Sequence, residues 1–120
     1  MVNPGAGGSD PLVEVASERF ADQLGRTADR CRALSLARLA APWGPEATRA
    51  DAARALAQSL AETAAGLEGG TPRRLPRLAD GAVGDQLAVC GRDVLVAAGS
   101  DHNALLGALA DQLLDLRRRL

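Results

Sequence analysis

The side chains able to do chemistry are few and far apart. The chain has one histidine, His102, and two cysteines, Cys31 and Cys90. An imidazole between Asp101 and Asn103 could move a proton or accept a phosphoryl group, and a thiol could attack once a base has taken its proton. Neither has a partner nearby in sequence. Structural zinc needs closely paired ligands, and one histidine with two distant cysteines offers none. Cys31 and Cys90 both fall on apolar positions of helical patterns, where they could face each other. Free cysteine is among the most buried residue types, so both read as buried thiols rather than a disulfide or a reactive site. Gly5-Ala6-Gly7-Gly8 follows no strand and so lacks the setting of a phosphate loop. The expectation is a non-enzyme with no catalytic, metal or cofactor-binding residue.

Two basic clusters and one tryptophan remain. Arg73, Arg74 and Arg77 lie in a proline-bounded stretch, and Arg117, Arg118 and Arg119 end the last helical pattern. Either cluster could contact an anion. Nucleic-acid binding normally shows a wider basic surface with aromatics for stacking, and this chain has neither, so nucleic acid is disfavoured as a partner. Trp43, within Pro42-Trp43-Gly44-Pro45, is a candidate partner contact because tryptophan is enriched at interface hot spots. The same residue could instead close one end of a core.

The elements that must position these groups follow from composition. Alanine and leucine fill 44 of 120 positions, and lysine, isoleucine and tyrosine are absent. Alanine and leucine are the strongest helix formers, whereas β-favouring residues are scarce. Fourteen arginines nearly balance fifteen acids, so no net field draws the chain to nucleic acid or an anionic membrane. No apolar run approaches the roughly 18 residues of a membrane span, and the N-terminus lacks the basic and apolar regions of a signal peptide. A cytoplasmic location is expected.

Periodicity predicts an all-α, up-and-down bundle of about four helices over residues 11–120, behind a disordered tail at 1–10. The helices span roughly 11–40, 46–68, 81–98 and 101–119. Val13, Ala16, Phe20, Leu24, Ala28, Cys31 and Leu34 make the clearest stripe, with Ser35 able to cap a further turn. Ala53, Leu56, Ala57, Leu60, Ala64 and Leu67 form a second stripe of mostly small side chains, ended by Gly69-Gly70. Thr71–Leu78, with two prolines, reads as an extended connector. Residues 82–98 are ambiguous: a helix leaves Val89 and Val96 among polar neighbours, and a hairpin would turn at Gly91-Arg92-Asp93. A helix is favoured because a lone hairpin needs further strands. In the last pattern Leu105, Leu109, Leu113, Leu116 and Leu120 are widened by Leu106 and Leu114, with Ser100 as the expected cap and Asp115 within reach of Arg119.

Three resemblances bear on function. Histidine phosphotransfer bundles carry lysine and glycine three and four residues after the histidine, where this chain has Leu105 and Leu106. Type VII secretion substrates resemble the first two helices, but they carry Trp-x-Gly where Trp43 is followed directly by Gly44. The stretch Val83–Asp93 is similar to a segment of short uncharacterised helical proteins of GC-rich Gram-positive bacteria, a resemblance that implies no activity. The function expected is a small non-catalytic module that binds another protein or a second copy, with Leu106 and Leu114 as contacts because their apolar surface looks surplus to a core. The alternatives are a nucleic-acid-associated regulator using the arginine clusters and a type VII-like helical hairpin.

Overall fold

The computed structural model describes residues 11–120, with side chains from Val15 onward. The expected tail at 1–10 lies outside the described residues. Helix α1 (Pro11–Ala33) is followed by the single turn α2 (Leu36–Leu39), a small hairpin of β1 (Pro42–Gly44) and β2 (Ala47–Thr48), and then α3 (Arg49–Leu67), α4 (Val83–Ala98) and α5 (Asn103–Arg119). The all-α bundle expected from composition is what the chain forms.

Local side chains set the breaks. The first helix stops at Ala33 rather than residue 40, because the Ser35 hydroxyl accepts from Arg38 N at 3.1 Å and caps α2. A serine bonding its own backbone competes with a continuous ladder. Helix α3 starts at Arg49 rather than Glu46, behind a reciprocal capping box. Asp51 N donates to Thr48 Oγ1 at 3.1 Å, and Thr48 N donates to the Asp51 carboxylate at 3.0 Å. Residues 46–48 are thereby left to the hairpin, in which Pro42 pairs with Thr48 and Gly44 with Ala47. Gly69, at φ +72°, ends α3 as expected of a glycine just past a helix.

Residues 82–98 resolve as helix. Val83, Leu87, Cys90, Val94 and Ala98 are buried, while Val89 and Val96 are 55% and 82% exposed. A single 3-10 turn, Asp80–Ala82, leads into it. Ser100 does not cap α5; His102 holds that position without a side-chain bond.

Helix α4 runs antiparallel to α1, for Gly84 lies at Ala28 and Cys31 while Gly91 lies at Leu24. Helix α5 runs parallel to α1: Arg19 reaches Gly107 O, Thr27 reaches Leu113 O and Arg38 reaches Leu120 O. The connector returns along α3 to its N-terminal half, so α4 starts where α3 starts and the two run the same way. The four long helices therefore read up, down, down, up and not in simple alternation, because the extended connector carries the chain back along α3 before α4 begins. α3 packs along α4, α4 along α1 and α1 along α5, whereas α3 and α5 meet only marginally.

The core holds Phe20, Leu24, Leu60, Leu87, Leu106 and Leu113 among its larger side chains. Burying each stabilises the fold by roughly 1.5–3 kcal/mol. Thr27 is fully buried among them, and its hydroxyl donates to Leu113 O at 3.1 Å and accepts from Arg117 at 3.3 Å. A hydroxyl brought into an apolar interior without such a partner costs free energy.

Candidate docking groove

The seam between α3 and α5 is open. Ala52, Ala55, Leu56 and Ser59 of α3 face Gln112, Asp115, Leu116 and Arg119 of α5, with Trp43 at one end, around a groove of about 410 Å³. Ala52, Ala55, Leu56 and Ser59 recur at steps of one, three and four and form a second stripe on α3, turned away from Ala53, Ala57, Leu60 and Ala64, which are buried. Because that second stripe is mostly small, space remains between α3 and α5, which are bridged at one end by Arg49 of α3.

Trp43 is placed by the hairpin. Its half-buried ring packs against the core, and the Arg119 guanidinium lies 3.6 Å above the ring centroid. Such a stack contributes roughly 0.5–1 kcal/mol at an exposed site. Arg49 donates to Arg119 O at 3.0 Å and Arg38 to Leu120 O at 3.2 Å, which fixes the end of α5 against the hairpin and α2. The expected Asp115–Arg119 pair does not form, as Arg119 turns to the tryptophan. Among the described residues Asp115 joins no ion pair. An acid and a base thus stand one helical turn apart on the groove rim.

Leu106 is 1% exposed and belongs to the core, which corrects its assignment as a partner contact. Leu114 and Leu105 are half-buried. The leucines of α5 looked surplus because one helix was judged alone, whereas the bundle covers more than one of its faces. The last arginines do not act together either. Arg117 bonds Thr27, Arg118 is exposed and Arg119 covers Trp43, as successive residues on a helix point about 100° apart. Arg73 and Arg74 are exposed on the connector, and Arg77 pairs with Asp51 at 3.2 Å.

Both cysteines are free and buried. Burial pushes the Cys31 thiol up to about 11 and raises that of Cys90 as well. Thiols held protonated are poor nucleophiles. His102 begins α5 at the end of the bundle where α1 begins, and Cys31 lies near the other end of α1, so the structure does not bring this imidazole to that thiol. Among the described residues no three His, Cys, Asp or Glu side chains gather as metal ligands, and no helix is long and apolar enough to cross a membrane. The groove itself is not legible in the sequence: of its α3 residues only Leu56 belongs to the stripe read there, and Ala52, Ala55 and Ser59 give no sign of which helix faces them. No family model, curated protein or solved structure matches the chain.

Proposed function

We propose that this chain is a non-catalytic cytoplasmic interaction module that seats an amphipathic helix of a partner protein in the α3/α5 groove. The observation behind this reading is the groove beside Trp43, with its apolar floor and unpaired rim charges. A helix laid between two helices buries a stripe of side chains spaced three and four apart. Asp115 and Arg119 select for a partner carrying a base and an acid one turn apart, in the opposite order. Trp43 is the anchor expected to dominate affinity, as buried aromatics do.

The test is affinity capture from the native proteome, followed by titration of the purified partner segment by calorimetry. Ser59→Arg, which plugs the groove, and Trp43→Ala are expected to weaken binding tenfold or more, while Val96→Asp on the far surface of α4 leaves it unchanged. A segment that is helical when bound and sensitive to both groove variants supports the reading. Binding indifferent to them, or retention of nucleic acid that falls steeply with salt, removes it.

A further inference from the structure

The connector after α3 is held in an unusual way. Residues 71–79 lie extended between two helices, fixed mainly by side chains of the bundle that bond their main chain. Gln58 grips both ways: its amide donates to Arg73 O at 2.9 Å and its carbonyl accepts from Leu75 N at 2.8 Å. Gln86, 9% exposed, donates to Pro76 O at 3.0 Å. Arg54 donates to Leu78 O at 2.7 Å and is itself oriented by Asp51 and Asp80 at 3.0 and 2.6 Å. Leu75 alone among these residues turns inward against the core. Beside the strap a groove of about 420 Å³ remains, lined in part by Ala55, Arg74 and Arg77.

This is how peptide-binding grooves work: main-chain bonds supply affinity without regard to sequence, and one pocket selects a side chain. We infer that the face formed by Arg54, Gln58 and Gln86 is a binding site for an extended peptide bearing a Leu-Pro pair, occupied in cis by the chain's own connector. Tethering gives the strap a local concentration in the millimolar range, so a modest intrinsic affinity keeps the site filled. The strap that covers it is lightly buried. Apart from Leu75 the strap buries little, and elements with few buried contacts open before the whole molecule unfolds. When it lifts, the Gln86 amide and the Gln58 carbonyl lose their partners, while Gln58 keeps Glu62 and Arg54 keeps Asp51 and Asp80, so a pre-oriented set of groups is open to the main chain of another peptide. The inference stands independently of the α3/α5 groove.

The probe is a fluorescently labelled peptide with the sequence of residues 71–79, titrated by anisotropy. It is offered to the intact chain and to a variant whose residues 71–79 are replaced by nine Gly/Ser residues. With the internal competitor gone, the replaced chain is expected to bind at one site at least about tenfold more tightly than the wild type. Adding Gln58→Ala and Gln86→Ala should lower that affinity about tenfold, and Ser59→Arg should not change it. If the replaced chain keeps its helical content and cooperative melting yet shows no saturable binding up to millimolar peptide, the inference falls. Should that variant fail to fold, hydrogen exchange on the wild type decides. A Leu75 amide that exchanges well before the core amides of α3 and α4 supports an opening strap, and one that exchanges only with global unfolding overturns it.

Discussion

Two seams of this bundle are lined by small residues and behave in opposite ways. Between α1 and α4, Gly84 and Gly91 let the helices come into close contact, with a smaller groove of about 250 Å³ beside Ala28 and Ala88. A Cβ on Gly84 would sit 2.7 Å from Ala28 O, and one on Gly91 would run into the Leu24 side chain. Between α3 and α5, Ala52, Ala55 and Ser59 line a gap that no opposing side chain fills. A small residue therefore gives close packing only where the facing helix can move in. Here α5 is fixed against α1 by Thr27 and Arg19 and at its end by Arg38 of α2, so it does not close along α3, which it meets at one end through Arg49.

The contrast can be broken most directly at Gly84. A valine there meets backbone as well as side chain, and calorimetric melting is expected to show a loss of roughly 3 kcal/mol. The same seam carries the pH dependence. Cys31 lies on it, and desolvation raises its thiol to about 11 from an ordinary value of 9.0. Between those values the unfolded chain loses a proton that the folded one keeps, so stability is full below pH 9 and falls as pH rises. The loss should reach about 2–3 kcal/mol near pH 11. Cys31→Ala should flatten that slope in denaturant titrations at each pH, with the Cys90 contribution left.

Gly91→Ala is milder, since its clash is with side chain rather than backbone and alanine favours the helix, although the buried Leu24 must shift as a whole. A net cost of about 1 kcal/mol, read from the urea midpoint, is expected. The smallest effect belongs to the open seam, where Ser59→Leu fills space instead of creating overlap. It should stabilise by about 0.5 kcal/mol. If Ser59→Leu cost as much as Gly84→Val, the two seams would not differ and the groove would lose its claim to be a vacant site.

The faces of the helices were legible in the sequence, because a repeat of three and four survives whatever the neighbours are. Ala16, Phe20, Leu24, Ala28 and Cys31 all turn inward to some degree, as their spacing requires. The exposed positions of Val89 and Val96 were legible for the same reason. What depends on two elements at once was hidden. Gly91 resembles a turn residue until Leu24 is seen packed on it, and Leu106 resembles spare surface until the other helices surround it. The start of α3 was missed because Asp51 stands where glutamate or glutamine usually completes the capping box, so the signal was diluted. Trp43 was picked out by type, but only the hairpin and Arg119 say where it points.

The pairing of α1 with α5 has a consequence for the order of folding. Thr27 and Leu113 are joined across 86 residues, and Arg19 and Asp111 across 92. Between these partners, α3, the strap and α4 form a unit whose bonds span only 10 to 26 residues. Short loops close before long ones. The α3–strap–α4 unit should therefore assemble first and offer α4 as the template on which α1 docks, with α5 arriving last to cover Thr27. Conservative substitutions in α4 should then slow folding, and those in α5 should mainly speed unfolding.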